Sequence, residues 1–348
     1  MKIGNREVGN TAASFIIAEL SANHNGSLET AKKTIRAAKR AGADAIKLQT
    51  YTPDTLTINS SKEYFKIEGG TLWDGKTLYG LYTEAYTPWE WHAELFATAE
   101  EEGLICFSSP FDRSAVDFLE TLQTPAYKIA SFEIQDIPLI RHAASKQKPI
   151  IISTGIAEIR DIELAIATCL EEGNKQIALL KCTSAYPAPL ELANLKTIVD
   201  MKDRFGVIVG FSDHTYGSLA PSVATTLGAK IIEKHLILDK SIGGPDADFS
   251  LDEQEFRQMV QAVRDTEKLL GNVNYTLSEK VKKNRKFARS LFVVKDARKG
   301  ELVTDENVRS IRPGYGLHPK YLVEVIGKRF SMDVERGEPL RLEHLEGM

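Results

Sequence analysis

Two histidines that follow neighbouring apolar runs have the clearest potential for chemistry. Residues 207–211 and 230–234 are short apolar runs, and His214 and His235 follow them. If the runs are adjacent parallel strands, alternate side chains share a face and both imidazoles meet at one rim. Four acidic residues lie close to them in sequence: Asp213, Glu233, Asp246 and Asp248. These nitrogen and oxygen donors predict a divalent metal site, although a single histidine is more often a structural residue or a proton-transfer group.

The elements that would hold these histidines repeat along the chain. Eight short runs rich in Ile, Val and Phe are each followed by a helix-like segment. They are residues 14–20, 45–49, 104–108, 126–130, 149–153, 177–182, 207–211 and 230–234. Such an alternation predicts a parallel sheet covered on both faces, and eight units in about 250 residues match an α/β fold of the (β/α)₈ TIM-barrel type. An open doubly wound sheet is the alternative, but no GxGxxG follows the first run.

Helix boundaries can also be predicted. Residues 87–90 (TPWE) and residues 250–253 (SLDE) each have the spacing of a capping box, with Pro88 at the first helical position of the former. Gly42 and Gly271 stand where left-handed helix caps are expected.

One connection is unusually long. It separates Gln49 from the helix predicted at Pro88 and contains KEYFK and LWDGKTLY. Strand-to-helix loops normally have a few residues, so we interpret this one as a lid or specificity loop over the catalytic face. The alternative is an insertion that is packed only by its own aromatic residues.

The composition changes after Gly271. Residues 1–271 are predicted to form the barrel, residues 272–289 a polar, basic linker, and residues 290–348 a small β-rich domain. The last segment contains a weak internal echo, DARKGEL against DVERGEPL.

Polar residues follow nearly every predicted strand, at the end where barrel enzymes carry their active sites. They include Glu19, Lys47, Gln49, Ser108, Ser109, Lys128, Ser131, Glu133, Ser153, Ser184, Tyr186 and Ser212. The hydroxyls and the two lysines predict a pocket for phosphate or carboxylate, although any one serine could simply cap a helix. Lys128 and Ser131 are three residues apart, so they can share a ligand only if the strand ends between them.

Composition excludes other classes of protein. The 348 residues are 43% hydrophobic, enough for a sizeable core, and the net charge of −4 gives no electrostatic case for nucleic acid. No apolar run approaches the roughly 20 residues that span a bilayer, and the first residues lack a signal-peptide pattern, so we expect a cytoplasmic protein without membrane partners. Three cysteines are too few for a disulfide framework.

Nine motifs together resemble the sialic acid synthase family of bacterial nonulosonate synthases. They are IAELSANHNGS, AIKLQTYTPDTL, FSSPFD, YKIASFEI, ISTGIA, KCTSAYPAP, GFSDHT, EKHLILDKSIGGPDADFS and RSIRPGYGLHP. Residues 62–91 resemble the branch that forms pseudaminate, and Ser184 stands where neuraminate-forming members usually have asparagine.

The resemblance implies a TIM barrel followed by an antifreeze-like (SAF) domain, in a domain-swapped homodimer whose small domain covers the partner's active site. It assigns phosphoenolpyruvate to Lys47, Ser109, Lys128, Ser131, Ser153, Ser184 and Ser212. It assigns the sugar to Gln49, Phe111, Glu133, Tyr186 and Asp246, with Arg312 reaching it from the other subunit. It makes His214 and His235 ligands of Mn²⁺, or of Mg²⁺ or Co²⁺ instead. The catalytic set is Glu19, Lys47, Glu133, His214 and His235, with Glu19 or Glu133 moving protons.

The reaction implied is the metal-assisted condensation of phosphoenolpyruvate with an amino sugar aldehyde, 2,4-diacetamido-2,4,6-trideoxy-L-altrose. The alternatives are the precursors of neuraminate or legionaminate as sugars, a metal-dependent aldolase that uses free pyruvate, and a carbohydrate-binding protein without activity.

Overall fold

In the computed structural model, which describes residues 1–9, 11–68, 70 and 73–347, the chain divides into two units, Met1–Gly271 and Asn272–Met348. The first unit begins with a small hairpin, β1 (Lys2–Ile3) and β2 (Arg6–Glu7). Every helix in the described residues is too short or too polar to span a bilayer.

Eight parallel strands of the first unit close into a barrel in which β10 pairs with both β9 and β3. They are β3 (Phe15–Glu19), β4 (Ala45–Thr50), β5 (Ile105–Pro110), β6 (Tyr127–Ile129), β7 (Ile150–Ser153), β8 (Ile177–Cys182), β9 (Ile208–Asp213) and β10 (Ile231–His235). The predicted TIM-barrel fold is confirmed.

Helices follow the strands and cover the barrel. They are α1 (Leu28–Ala41), α2 (Pro53–Leu56), α3 (Leu78–Ala85), α4 (Trp89–Glu101), α5 (Arg113–Thr121), α6 (Ile137–Ser145), α7 (Ile159–Glu171), α8 (Thr197–Phe205), α9 (Leu219–Thr226) and α10 (Glu253–Leu270).

Strand alternation separates two layers of apolar side chains. Outward positions such as Ile16, Leu48 and Ile232 pack with the helices, whereas inward positions such as Ile17 and Phe107 fill the barrel. The same alternation continues to the carboxyl ends of the strands. There the inward positions are polar: Glu19, Lys47, Gln49, Ser109, Lys128, Ser153, Cys182, Ser212, Glu233 and His235. One end of the interior is therefore a packed core, and the other end can carry chemistry.

The predicted N-terminal caps are wrong in detail. Helix α4 is capped by Pro88 without a side-chain bond, because the Thr87 hydroxyl is bonded instead to His24 Nε2 at 3.2 Å. Helix α10 has its capping box at Asp252 and Glu255, two residues later than predicted, because Ser250 Oγ bonds the carbonyl of Asp246.

The two C-terminal caps differ. Gly42 adopts the predicted left-handed cap, with φ 92° and ψ 19°. Gly271 combines φ 47° with ψ −143°, which is not the left-handed helical cap, so that prediction is wrong.

The long connection between β4 and α4 is partly helical. It contains α2, a 3₁₀ turn at Glu63–Phe65 and α3, so it is not a featureless loop. Leu72, which the sequence places in this connection, lies outside the described residues.

The second unit holds short elements around its own core. They are α11 (Glu279–Lys283), β11 (Ser290–Val293), β12 (Val308–Ile311) and α12 (Leu322–Val325). The two echo segments bond each other reciprocally: Asp296 accepts from the amide of Arg336, and Asp333 accepts from the amide of Lys299. Met348, the last residue of the predicted small domain, lies outside the described residues.

Candidate active site

Lys47 lies at the centre of the polar end of the barrel. From the inward face of β4, its Nζ is 2.9 Å from Glu19 Oε2 and 3.2 Å from Glu233 Oε1, and it donates to Ser109 Oγ at 3.3 Å. Gln49, two residues further on, donates from Nε2 to Glu19 Oε1 at 3.0 Å. Register explains this closeness, because Glu19 is directly opposite Lys47 in the sheet.

Glu233 links this group to the second lysine. Its Oε1 is 3.9 Å from Lys128 Nζ and accepts from Ser212 Oγ at 3.1 Å, while its Oε2 is buried and has no hydrogen-bond partner within the described ranges. The sequence predicts Glu233 near the metal, whereas the structure places it between the two lysines. Its alternation with His235 on β10 was the signal available in the sequence.

Burial and neighbouring charges bring two of these groups close to neutral pH. Desolvation raises the pKa of Glu19 to about 7, although Lys47 opposes the shift. Desolvation also lowers the pKa of Lys128 to about 8, with Glu233 opposing and Lys47 assisting. Near pH 7 both groups can therefore change protonation at little cost.

The predicted anion pocket also includes hydroxyl groups. The backbone amide of Gly155 donates to Ser131 Oγ at 3.1 Å, and the Oγ of Ser153 is buried without a hydrogen-bond partner in the described part of the chain. Strand β6 ends at Ile129 and Ser131 begins a 3₁₀ turn, so the strand ends between Lys128 and Ser131. Strand alternation therefore does not force the two side chains onto opposite faces, and the condition for a shared ligand is met. A buried hydroxyl without a partner is unusual and indicates a place for a ligand.

Gly155 leaves space for these hydroxyls. A Cβ built there would lie 2.7 Å from Ser131 Oγ, still closer to Ser184 Oγ, and 3.1 Å from Cys182 Sγ. Both serine hydroxyls can rotate away from an added methyl group. The methyl group would therefore displace the two hydroxyls but would not disrupt the fold.

We therefore expect Gly155→Ala to raise the KM for the anionic substrate about tenfold or more, while the melting temperature changes by only a few degrees. Steady-state kinetics with each substrate varied in turn would measure the effect. Gly9→Ala, where the added methyl meets nothing within 4 Å, is the matched control. An unchanged KM would show that the hydroxyls do not need their present positions.

The two histidines meet at the rim, as strand alternation predicts. Their ring centroids are 5.4 Å apart. His214 Nδ1 lies 3.1 Å from the carbonyl oxygen of Thr183, so it carries the hydrogen and leaves Nε2 free to act as a ligand. Burial, with the nearby charges of His214 and Lys47, holds the pKa of His235 well below its ordinary value, and its Nδ1 has no hydrogen-bond partner among the described residues.

Only one of the neighbouring acids lies beside the imidazoles. Asp246 Oδ2 is 3.7 Å from His235 Nδ1. Asp213 points to the outer face of the barrel, where it is paired with Lys234, and Asp248 is exposed. Across the described residues, no three His, Cys, Asp or Glu side chains are grouped closely enough to hold a metal ion by themselves. The expected acidic surroundings of the imidazoles are therefore corrected to Asp246 alone, because Glu233 lies between the two lysines.

Cys182 is a neighbour that the sequence interpretation did not include in the site. It ends β8 on the inward face, and its Sγ is 3.8 Å from His214 Nδ1. Burial opposes ionisation of the thiol, but the charge and hydrogen bond of His214 outweigh it and lower the pKa of Cys182 to about 7. The signal for this residue was again alternation, from Ala178 through Leu180.

A cavity of about 530 Å³ opens above this group. Its lining includes every predicted sugar-contacting residue of the first unit: Gln49, Phe111, Glu133, Tyr186 and Asp246. The connection between β4 and α4 supplies an apolar wall, consisting of Leu56, Ile67, Leu78, Leu81, Tyr82 and Ala85. The connection therefore shapes the cavity and is not packed only against itself.

Trp73 fastens this connection to the rim. Its Nε1 donates to the carbonyl of Pro245 at 3.0 Å, and its ring centroid is 5.6 Å from that of Tyr186. Tyr186 in turn packs against His214, with ring centroids 4.4 Å apart. A continuous row of rings thus runs from the connection to the histidines.

Glu133 carries the second carboxyl with a raised pKa. Burial raises the pKa to about 7, with Lys128 opposing, and Oε2 has no hydrogen-bond partner among the described residues. Because the folded-state pKa lies above the ordinary value of 4.5, the stabilising contribution is complete below pH 4.5 and is lost as the pH rises through 7.

We expect Glu133→Gln to raise the free energy of unfolding of the substrate-free protein by about 1–3 kcal/mol at pH 8, and by much less at pH 5. Urea denaturation at the two pH values measures the difference. Exposed Glu191→Gln is the control, with the same small effect at both. Equal effects of Glu133→Gln at both pH values would contradict the raised pKa.

Comparison with known families matches both parts of the chain. The NeuB family model matches residues 34–275, and the SAF domain model matches residues 288–346. The chain belongs to the NeuB family. The resemblance drawn from the sequence motifs is confirmed.

Relatives within the NeuB family cover nearly the whole chain. A pseudaminic acid synthase of Campylobacter jejuni is 54% identical over 341 residues, which cover 98% of each chain. A pseudaminic acid synthase of Helicobacter pylori is 50% identical over 332 residues, covering 95% of this chain and 97% of its own. The crystal structure of the Bacillus subtilis spore coat polysaccharide biosynthesis protein SpsE superposes with a TM-score of 0.67 at 34% identity, covering 99% of this chain and 98% of its own.

Arg312 is in the segment that the SAF model matches, directly after β12. It belongs to the second unit, and its contact with the sugar stays a prediction.

Proposed function

We propose that this protein is a pseudaminic acid synthase, which condenses phosphoenolpyruvate with 2,4-diacetamido-2,4,6-trideoxy-L-altrose and water to give pseudaminic acid and phosphate. The observation that carries the proposal is that the two lysines of an anion pocket and a pair of facing imidazoles lie at the same end of one barrel, below one cavity. The high identity to two synthases of this name supports the choice of reaction.

The reaction needs two reactants held in contact and charge neutralised at both. C3 of phosphoenolpyruvate forms a bond to the aldehyde carbon of the sugar, whose oxygen takes up a proton. The oxygen of water adds to C2, and the bond from C2 to the phosphate oxygen then breaks, releasing phosphate. Orientation of two bound reactants can contribute up to roughly 7–11 kcal/mol to lowering such a barrier.

Lys47 and Lys128 are suited to hold the phosphate and carboxylate of phosphoenolpyruvate. Both ammonium groups are buried; Lys47 lies against Glu19 and Glu233, and Lys128 lies 3.9 Å from Glu233, so acidic groups partly offset their charges before the substrate binds. Ser109, Ser131, Ser153, Ser184 and Ser212 add hydroxyl donors around them. Charge-assisted hydrogen bonds in a buried site are the strong ones, which supports this end of the barrel as the binding site.

The histidine pair fits a divalent cation. His235 Nδ1, which has no hydrogen-bond partner among the described residues and lies 3.7 Å from Asp246 Oδ2, and the Nε2 of His214 form a donor set that suits Mn²⁺, with Mg²⁺ or Co²⁺ as alternatives. When bound, such an ion supplies Lewis-acid polarisation of the sugar carbonyl. The residues that would hold it are His214 and His235.

Glu19 and Glu133 are the two candidates for the residue that transfers protons. Each has a pKa of about 7, so each can give or take a proton near neutral pH. Glu19 is bonded to Lys47 and Gln49 below the cavity, whereas Glu133 lines the cavity proposed for the sugar.

The apolar wall favours a deoxy, diacetamido sugar over N-acetylmannosamine. A methyl group at C6 and the acetyl methyl groups can pack against Ile67, Leu78 and Leu81, whereas a hydroxymethyl group there would lose its hydrogen bonds to water. A pocket of this kind discriminates by a factor of about 10 to 100.

Phosphate release tests the function. We expect release with phosphoenolpyruvate and the altrose derivative, with kcat/KM at least about tenfold above that for N-acetylmannosamine. The diacetamido-trideoxymannose carries the same methyl groups, so the wall does not discriminate against it, and its kcat/KM decides between pseudaminate and legionaminate as the product. Turnover with pyruvate in place of phosphoenolpyruvate would identify an aldolase, and binding without turnover would remove the proposed activity. Equal use of all three sugars would overturn only the sugar assignment.

The expected homodimer and the role of Arg312 stay predictions. If Arg312 reaches the partner's sugar, Arg312→Ala should raise the KM for the sugar and leave the KM for phosphoenolpyruvate unchanged.

A further inference from the structure

A buried ion pair lies directly behind the two histidines. Lys234 on β10 and Asp213 on β9 are register partners, and the Lys234 ammonium donates to Asp213 Oδ2. Both side chains are fully buried. They occupy the outward face of the barrel, the face opposite to the inward Glu233 and His235, so neither can contact a substrate in the interior.

An ion pair is an unusual choice at these positions. The other outward positions of the same two strands are Val209, Phe211 and Ile232, which pack into the core between barrel and helices. Replacing a buried ion pair with well-packed apolar residues is often neutral or stabilising, so stability alone does not account for charges here.

The pair holds the backbone on the far side of His214. Asp213 Oδ1 accepts from the amide of Thr215 at 2.8 Å, and the Lys234 ammonium donates to the carbonyl of Thr215. Both backbone polar groups of the residue after His214 are therefore bound. Asp213 itself precedes His214, and Lys234 precedes His235, so the same two side chains are covalently adjacent to both imidazole-bearing residues.

We propose that Asp213 and Lys234 are positioning residues that fix the separation and orientation of the His214 and His235 imidazoles. This inference rests on the proposed role of the two histidines. Strand β9 ends at Asp213, so His214 lies beyond the sheet, where its carbonyl accepts from the amide of Ala188 at 2.9 Å and its Nδ1 lies 3.1 Å from the carbonyl oxygen of Thr183. The ion pair links this segment to β10, because Lys234 binds both Asp213 and Thr215, the two neighbours of His214.

The test is a double variant that keeps the fold and removes the clamp, Asp213→Leu with Lys234→Met. We expect its melting temperature to stay within about 5 °C of the parent, because apolar side chains can fill the same layer. We expect the Kd for Mn²⁺, measured by calorimetry without substrates, to rise at least tenfold. kcat should fall at least tenfold, while the KM for phosphoenolpyruvate changes less than threefold. Excess Mn²⁺ should restore part of kcat.

A second ion pair that binds the backbone provides the control. Arg264 and Asp44 are partly exposed and joined at 3.0 Å, and they bind the backbone of Ser14 and Ile16 at the start of β3, at the opposite end of the barrel. The double variant Arg264→Met with Asp44→Leu should lose stability without a change in the Kd for Mn²⁺ or in kcat.

The outcomes separate the two proposals. A stable clamp variant with the Kd and kcat of the parent would overturn the positioning role. If the parent itself binds no Mn²⁺, the metal proposal fails. The positioning role is then decided by kinetics alone: a fall of kcat at an unchanged KM for phosphoenolpyruvate supports it, and the parental kcat overturns it. If the double variant does not fold, Asp213→Asn with Lys234→Met carries the same test, because it leaves no unpaired buried charge; we expect a change of at least threefold in Kd and kcat, and parental values would overturn the role.

Discussion

Replacing His235 with alanine should lower kcat/KM for the condensation by about 10³-fold or more. The imidazole is buried, neutral at pH 7 because its pKa is held well below the ordinary value, and faces His214 with ring centroids 5.4 Å apart. Its loss leaves one histidine and Asp246, which is a much weaker donor set for a divalent ion.

Chelation should have the same effect as the substitution. Protein treated with EDTA and freed of it by gel filtration should be inactive, and Mn²⁺ should restore the parent but not His235→Ala. His142→Ala is the control, because His142 is bonded to Asp117 at the surface between α5 and α6 and should retain full activity. Full activity of the metal-free parent would remove the Lewis-acid role.

Replacing Lys47 with methionine should be as damaging, with kcat/KM for phosphoenolpyruvate lowered by about 10³-fold. Its ammonium neutralises Glu19 and Glu233 at 2.9 and 3.2 Å, and these charges raise its own pKa even though burial opposes them. Without it, the Glu233 carboxylate loses its nearer ammonium partner at the place where we propose that phosphoenolpyruvate binds, so both repulsion and the loss of a charge-assisted bond oppose binding.

The measurement for Lys47→Met is a pair of saturation curves together with a melting curve. Breaking a buried ion pair can cost about 3–5 kcal/mol of stability, so the melting curve is needed to show that the variant is folded under the assay conditions. Lys148→Met removes a lysine that is paired with Glu120 on the outside of the barrel, and it should leave both saturation curves unchanged. A folded Lys47→Met protein with the parental KM for phosphoenolpyruvate would exclude Lys47 from the anion pocket.

Much of this architecture can be predicted from the sequence because one physical rule acts eight times. A strand that is buried on both faces needs a near-continuous apolar run, and such runs are visible in the sequence as β3 to β10. The polar residue at the inward position after each run then marks the site. Even the problem of Lys128 and Ser131 could be stated in advance, and the end of β6 at Ile129 resolves it.

What could not be predicted depends on contacts between distant segments. Thr87 and Ser250 have the local spacing of helix caps, but His24 and the carbonyl of Asp246 compete for their hydroxyls. Asp213 is adjacent in sequence to a histidine, yet alternation turns it to the other face, towards Lys234. Local spacing is informative about a residue only when no remote partner binds it more strongly.

The origin of the cavity walls has a consequence for how such an enzyme can change. Residues suited to the enol phosphate come one or two at a time from separate strands, whereas the apolar side of the cavity comes mostly from a single contiguous stretch between β4 and α4. Exchange of that one stretch would alter the choice of sugar while the phosphate-handling apparatus is inherited intact. Evolution can therefore change the product of such a barrel by replacing one segment, and the residues suited to the enol phosphate need not change.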